Sequence, residues 1–370
     1  MLTQDEIDRY KRHINLEGVG IEGQLRFKKS SVLFVGAGGL ASPALLYLAA
    51  AGIGIIGIID NDKVEKSNLQ RQVIHDNGEI GNYKTESAKK RIQKINPNCN
   101  IITFSERLSA KNALIIIKEF DIVCDCSDNF GTRFLTNDAC IILKKPFIYG
   151  SVQGFEGQAS VFNLKENSPN FRDLIPNNSR VNDIPSCNEF GVIGVSPGLI
   201  GILQANEIIK IILQKGNTLD GKLLVFNLLN MTMKKLNLCA NYKNKAIYDL
   251  EMYSHDYENE ECQSQKINTK KISSVNFKKI CKQNSNDIIV IDVREKEEYD
   301  KSALKGSISI PLSSLNKKSS FKFIKENSSN KVIYLICQKG IRSERASQIL
   351  IQNQIEAISI EGGLDQFELI

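Results

Sequence analysis

Two stretches of the chain alternate short, almost unbroken apolar runs with segments of helical spacing, and a polar bridge separates them. The first run, Ser31-Val32-Leu33-Phe34-Val35, is too short for a helix and reads as a strand buried on both faces. A glycine turn follows, then a helix over Pro43 to Ala51 and a second apolar run, Ile55 to Ile59, ending in Asp60. A strand–helix–strand unit of this kind opens a doubly wound parallel sheet. Further buried strands are expected at Asn100 to Phe104, Ile122 to Cys126 and Pro146 to Tyr149. A short charged helix, Asp5 to His13, comes before them. Gly198 to Ile212 reads as a long apolar helix of the core or of a dimer interface.

From about Ala240 to Ser274 the chain turns polar, with Glu258-Asn259-Glu260-Glu261 and Lys270-Lys271, and reads as a linker with room for one short helix. Beyond it, Ile288 to Ile291 and Val332 to Ile336 are again buried-strand candidates, in a sheet of their own. The expectation is an α/β protein of two domains, 1–240 and 272–370, joined by 241–271. The 370 residues suit two domains better than one.

Composition narrows the setting. The apolar stretch from Leu45 to Ile59 is short and broken by Gly52, Gly54 and Gly57, so no membrane span is expected there. Gln4, Asp5, Glu6 and Asp8 near the start do not fit a secretory leader, and a cytoplasmic protein is expected. Nine cysteines without framework spacing suggest reduced thiols. A formal charge of +6 with no dense basic stripe suits a nucleotide or an acidic protein partner rather than nucleic acid.

The turn after the first strand reads Gly36-Ala37-Gly38-Gly39-Leu40-Ala41-Ser42. Glycines at Gly36, Gly38 and Gly39 let the backbone approach phosphates and turn free amides toward them. Asp60, at the end of the next strand, stands where a carboxylate takes ribose hydroxyls. These features alone would serve NAD equally. The residues that follow change this: Asn68-Leu69-Gln70-Arg71-Gln72, then Gly81 to Ala88 with Lys84, then Asp125-Cys126-Ser127-Asp128-Asn129 at a strand end. Cations near phosphates with a carboxylate opposite are what phosphoryl or nucleotidyl transfer needs, so together they favour ATP. Cys124 and Cys126, two apart on a strand, share one face and read as core or site lining.

In the second region, Leu335-Ile336-Cys337-Gln338-Lys339-Gly340-Ile341-Arg342-Ser343 places a thiol after a buried strand and before a helix. A loop there can curl its amides around sulfur, while the helix dipole, Lys339 and Arg342 favour a thiolate or persulfide.

Arg9 to Arg12, Gly36 to Leu40, Asp60, Asn68 to Gln72, Lys84 to Ala88 and Ser127-Asp128-Asn129 together resemble the MoeB/ThiF family, relatives of ubiquitin-activating enzymes, from about Arg9 to Leu238. The resemblance implies a Rossmann-like ATP-binding domain in which Asn68, Arg71 and Lys84 hold the phosphates, Asp60 the ribose and Asp128 magnesium. It also implies a homodimer in which Arg12 reaches the neighbouring subunit's site. The family usually has Gly where Ala41 stands. Ser186-Cys187-Asn188 resembles the loop that carries the family's conjugating cysteine, so Cys187 is expected to take part as a thioester or in an acyl-disulfide.

Many members hold a structural zinc with two Cys-x-x-Cys pairs. This chain has Asn170-Phe171-Arg172-Asp173 at the first place and no cysteine near Asn244 to Ile247, so no zinc is expected. Ile291-Asp292-Val293-Arg294-Glu295, Gly306 to Pro311, the Cys337 loop and Glu361-Gly362-Gly363-Leu364 resemble the rhodanese homology domain. Four residues separate Cys337 from Arg342, the shorter loop that suits a persulfide. A histidine common in that domain before Gly306 is absent, with Ala303 near its place.

The combined resemblance implies ATP-dependent adenylation of the C-terminal glycine of a ubiquitin-like sulfur-carrier protein ending in Gly-Gly, coupled to sulfur transfer through Cys337. The pathway would be of molybdopterin or thiamine type, with a cysteine desulfurase or another persulfide donor as a further partner. The competing expectation is an NAD-dependent oxidoreductase with an accessory rhodanese domain, which leaves Arg71, Lys84 and Asp128 without a task. An enzyme acting on tRNA and a non-enzymatic scaffold account for less.

Overall fold

The computed structural model describes residues 1–175, 191–241, 244, 246–257, 269–283, 287–315, 318–328 and 331–368. It forms two compact units, Met1–Glu261 and Cys262–Ile370.

The first unit is built on an eight-stranded sheet: β1 Ser31–Val35, β2 Ile55–Ile59, β3 Asn100–Phe104, β4 Ile122–Asp125, β5 Phe147–Gln153, β6 Glu156–Phe162, β7 Lys222–Asn227 and β8 Thr232–Asn237. Their order across the sheet is β3-β2-β1-β4-β5-β6-β7-β8. The first five run parallel, with Val32 opposite both Ile56 and Ile122, and β6 to β8 run antiparallel. Every residue of β1 is buried. Val32 and Phe34 face one core layer with the helix Ala41–Ala51 and the helix Val195–Leu213, while Leu33 and Val35 face a second layer with Phe120, Phe134 and Phe147. A strand with helices on both sides has no polar face, which is why its sequence shows no alternation.

The strands expected at 31–35, 55–59 and 100–104 are present at those bounds, and the helix expected from Pro43 begins at Ala41. The charged N-terminal helix is two pieces, Gln4–Arg9 and Lys11–Ile14, broken at Tyr10. Tyr10 is buried, and its hydroxyl accepts a hydrogen bond from Asn96 Nδ2 at 2.7 Å. The long apolar helix spans Val195–Leu213; its length and hydropathy would suit a membrane, yet half of it is buried against the sheet and the helix Ala41–Ala51. Part of the expected linker is ordered on the first unit. Leu250 is buried in its second core layer with Tyr257 packed alongside, and short helical turns cover Glu251–Tyr253 and Ser254–Tyr257.

The second unit has a five-stranded parallel sheet, β9 Lys271–Ser273, β10 Ile288–Asp292, β11 Ile308–Ser309, β12 Val332–Ile336 and β13 Ala357–Glu361, in the order β11-β10-β12-β13-β9. Ile333 and Leu335 face one core cluster, and Tyr334 and Ile336 the other. Cys337 thus follows the central strand and precedes the helix Ile341–Gln352.

Candidate active site

In the first unit the strand order reverses between β1 and β4, and the residues singled out in the sequence gather beyond the C-terminal ends of these strands. Gly36 begins the turn with φ +95°, and a Cβ there would lie 2.9 Å from the Cys126 carbonyl oxygen. Both conformation and space demand glycine. Asp60 clamps the turn: its Oδ2 accepts from the Ala37 N–H at 2.8 Å, and its Oδ1 from the Asp62 N–H at 2.8 Å. Burial raises its carboxyl pKa, opposed by Lys84 and these two amides. Asp60 therefore orders the glycine turn, a role beyond the ribose contact expected from the sequence.

His75, which the sequence did not single out, holds the same turn from the other side. Its Nε2 lies 3.0 Å from the Ala37 carbonyl oxygen and its Nδ1 2.8 Å from Ser87 Oγ. A carbonyl can only accept, so Nε2 carries the proton and Nδ1 accepts from the serine hydroxyl. Burial lowers the pKa of this imidazole and keeps it neutral.

A cavity of about 280 Å³ opens beside the turn, lined by Asp62, Lys63, Glu65, Ser67, Asn68, Arg71, Gln72, Lys84 and Asp128. Asn68, Arg71, Lys84 and Asp128, far apart in sequence, thus line one space. Lys84 is buried at the head of the helix Lys84–Ile95 and its Nζ donates to Asp62 at 2.7 Å. Arg71 Nη1 donates to the Ser67 carbonyl at 3.1 Å, and Asn68 Oδ1 accepts from the Glu65 N–H at 3.1 Å. Gln72 Oε1 is buried with no hydrogen-bond partner among the described residues. An unmet acceptor in an all-polar wall fits a ligand that brings donors. Arg12 is exposed on its short helix and does not line this cavity. Cys187 lies outside the described residues.

Asp128 is exposed, and its position rests on buried neighbours. Asp125 Oδ1 accepts from Ser127 Oγ at 2.6 Å and from the Ser127 N–H at 3.2 Å. Arg133 Nε stands 3.5 Å from Asp125 Oδ2, and its Nη2 donates to the Ser127 carbonyl at 2.9 Å. Burial pushes the Asp125 carboxyl up to about 6, with Arg133 and Ser127 pulling the other way. Gln204 Nε2, from the helix Val195–Leu213, donates to the Asp125 carbonyl at 2.7 Å. Asn129 Oδ1 then caps the helix Phe130–Leu143 by accepting from the Thr132 N–H at 2.8 Å. Cys124 and Cys126 are both buried, their sulfurs 3.8 Å apart, and belong to the core beneath this turn.

At the edge where many MoeB/ThiF members hold zinc, this chain has a polar clasp. Asn170 Nδ2 donates to Asp173 Oδ2 at 3.1 Å, and Asn244 Nδ2 to Asp173 Oδ1 at 2.8 Å and to the Arg172 carbonyl at 3.2 Å. Buried Arg172 pairs with buried Asp138 and, at 2.8 Å, with Asp256; Nε donates to Asp138 Oδ1 at 2.8 Å. Tyr257 Oη donates to Asp138 Oδ2 at 2.7 Å. Hydrogen bonds and ion pairs thus join the three segments at that edge.

In the second unit Cys337 is buried, and its sulfur accepts from the Gly340 N–H at 3.1 Å and the Ser343 N–H at 3.4 Å. The loop curls its amides around sulfur as the sequence suggested. A Cβ on Gly363 would come 2.2 Å from the Cys337 carbonyl oxygen, so the Gly362-Gly363 pair permits the close packing behind the loop. Arg342, expected beside Cys337 as a cation that favours thiolate or persulfide, is paired with a carboxylate. Its Nη1 and Nη2 donate to the two carboxylate oxygens of Glu298 at 2.6 and 2.8 Å, a bidentate pair. Nearby, buried Arg294 is forked onto Asp292, at 2.8 Å from Nη2, and reaches Gln338 Oε1 at 3.1 Å.

Comparison with known proteins agrees with this organisation. Residues 10–247 match the model of the ThiF family, and residues 277–369 that of the rhodanese-like domain. A probable molybdopterin-synthase adenylyltransferase of Gracilaria tenuistipitata var. liui is 39% identical over 96% of this chain and 96% of its own length. The probable adenylyltransferase/sulfurtransferase MoeZ of Mycobacterium tuberculosis is 36% identical over 98% and 93%, and adenylyltransferase and sulfurtransferase MOCS3 of Aedes aegypti 36% over 95% and 83%. Among solved structures, E. coli MccB with ATP shares the fold at a TM-score of 0.58 and 21% identity, over 66% of this chain and 75% of that one. With family matches to both units and relatives aligned along nearly its whole length, the chain belongs to the ThiF family and carries a rhodanese-like domain behind its ThiF domain.

Proposed function

We propose that this chain uses ATP to adenylate the C-terminal glycine of a ubiquitin-like sulfur-carrier protein and passes sulfur to it through Cys337. The observation that carries the first half is the all-polar cavity that joins Asn68, Arg71 and Lys84 to Asp128. A hydride-transfer site gains nothing from two cations and a carboxylate around one space; a triphosphate does. The relatives' names, adenylyltransferase and sulfurtransferase, support the same reading, and those that name molybdopterin synthase favour a molybdopterin-type carrier.

In the adenylation step the carrier carboxylate attacks the α-phosphorus, the bond to the β,γ-phosphates breaks, and pyrophosphate leaves. Arg71 and Lys84 spread the charge of the departing phosphates, and the glycine turn fixes the phosphates so that attack is in line. Lys84 is matched by Asp62 at 2.7 Å, so its charge is held at the cavity wall. Asp128, a carboxylate of the cavity wall, suits a hard cation that keeps most of its waters and would hold magnesium. When bound, the ion supplies charge neutralisation on the phosphates. Asp60 keeps the turn closed and offers its remaining lone pairs to the ribose.

The carrier's acyl-adenylate is then open to sulfur. The terminal sulfur of a Cys337 persulfide attacks the acyl carbon and AMP leaves, giving an acyl-disulfide of the carrier with Cys337; an external dithiol reductant then splits that S–S bond, closing to its own disulfide and releasing the carrier thiocarboxylate and the Cys337 thiolate. Cys187 takes part through a thioester or an acyl-disulfide. Arg12, exposed at the N-terminus, completes the site of a second copy in a homodimer. A cysteine desulfurase or another persulfide donor recharges Cys337.

Pyrophosphate exchange into ATP, measured with a Gly-Gly-tailed carrier, tests this reading. Exchange that needs the carrier's free carboxylate and is lost in Asp128→Ala is expected. Absence of exchange with molybdopterin-type and thiamine-type carriers alike, together with tight NAD binding, overturns it.

A further inference from the structure

The sulfur-binding loop of the second unit is nearly charge-balanced, and the balance comes from a residue outside the loop. Arg342 closes the loop five positions after Cys337, where an unshared guanidinium would attract an anionic sulfur donor. Both terminal nitrogens of Arg342 are instead forked onto Glu298, at 2.6 and 2.8 Å. Glu298 is itself held in place. It is the third residue of the helix Lys296–Lys301, and its Oε2 accepts from the Glu295 N–H at 3.1 Å. The pair is about one-third exposed, so donors arriving at the loop meet a neutral fork rather than a cation. The second arginine at the loop, Arg294, is likewise matched by Asp292 and turned onto Gln338. Among the described residues, Lys339 is the loop cation with no carboxylate opposite.

We propose that Glu298 is a specificity-determining residue: by neutralising Arg342 it disfavours dianionic donors such as thiosulfate and selects a monoanionic persulfide as the source of sulfur. The proposal rests on the reading of Cys337 as the sulfur carrier. Two exchanges are possible at that thiolate, and they differ only in what must be held. With thiosulfate, the Cys337 sulfur attacks the outer sulfur, a new S–S bond forms, the old one breaks, and sulfite leaves with its electron pair and two negative charges. With a persulfide R–S–S⁻, the same bond forms and the leaving group is the thiolate RS⁻. A site that takes the first needs strong positive charge for both donor and leaving group; the second needs little. The electrostatics around the pair agree: Arg342 holds the Glu298 carboxyl down to about 2, and Glu298 keeps Arg342 protonated.

The test uses the full-length chain and two donors, thiosulfate and a small alkyl persulfide, with sulfur on Cys337 read by mass spectrometry and sulfite release measured in parallel. Wild type is expected to load from the persulfide in strong preference to thiosulfate. Glu298→Gln keeps an oxygen for the Glu295 amide but frees the Arg342 charge, and is expected to raise the thiosulfate-to-persulfide ratio about tenfold at low salt, less at high salt. Adding Arg342→Met to Glu298→Gln is expected to return the ratio to the wild-type value, which loss of fold stability alone would not do. A ratio near unity in wild type, or one that Glu298→Gln leaves unchanged, overturns the role of Glu298 while Cys337 stands. If neither donor charges Cys337, the reading of Cys337 falls and the proposal with it.

Discussion

Arg172→Met tests whether the polar clasp secures the edge of the ThiF unit. In the folded chain Asp138 is wholly buried and meets Arg172 through paired hydrogen bonds, one of 2.8 Å from Nε. Met fills much of the same volume but, among the described residues, leaves Asp138 with Asn137 Nδ2 at 3.0 Å and the Tyr257 hydroxyl at 2.7 Å. Removing one partner of a buried ion pair costs about 3–5 kcal/mol, because the remaining charge is stranded away from water. With a urea m-value of about 3 kcal/mol per molar, the midpoint of this unit should fall by roughly 1–1.7 M. Asp138→Asn combined with Arg172→Met should recover a large part of the loss, since no uncompensated charge is left. The chain has no tryptophan, so far-UV circular dichroism with hydrogen exchange over residues 246–257 is the suitable readout. Arg172→Met within about 1 kcal/mol of wild type would refute the clasp as a stabilising element.

His75→Ala should raise the KM for ATP in pyrophosphate exchange several-fold more than it lowers kcat, because it frees the glycine turn from the helix that carries Lys84; His75→Gln should restore part of the affinity. Gly36→Ala places a Cβ against the Cys126 carbonyl at positive φ, so nucleotide binding by calorimetry should be abolished or the fold lost at a cost above about 2 kcal/mol. Asp125, whose folded pKa of about 6 lies above the unfolded value, contributes stability that is full below about pH 4 and is lost as pH rises through 6. Thermal midpoints of the ThiF unit between those values should show this slope, and Asp125→Asn should remove it. Cys187→Ala should leave carrier-dependent pyrophosphate exchange intact while removing the covalent carrier adduct on denaturing gels.

The sequence by itself determined the parallel strands β1 to β5 of the ThiF unit and the strands β10 and β12 of the rhodanese-like unit. A run such as Ser31 to Val35 has no polar face, so burial on both sides of a parallel sheet is written in its composition, and its bounds match the structure. The fork at Gly36 to Gly39, the carboxylate of Asp60 and the loop around Cys337 were legible because each is a local device in which residues a few positions apart act together. The antiparallel strands β6 to β8 were not legible: β8 is exposed along its length and held by pairing with β7, which no periodicity records. Only the tertiary structure decided what the charges do. Arg172 meets Asp138 across 34 residues, Arg342 meets Glu298 across 44, and His75 meets the Ala37 carbonyl across 38. An isolated lysine or arginine in a sequence reads as a solvated surface charge or a phosphate ligand. Burial makes an unpaired charge too costly to keep, so the partner that the fold brings within hydrogen-bonding reach sets whether that charge serves chemistry or structure.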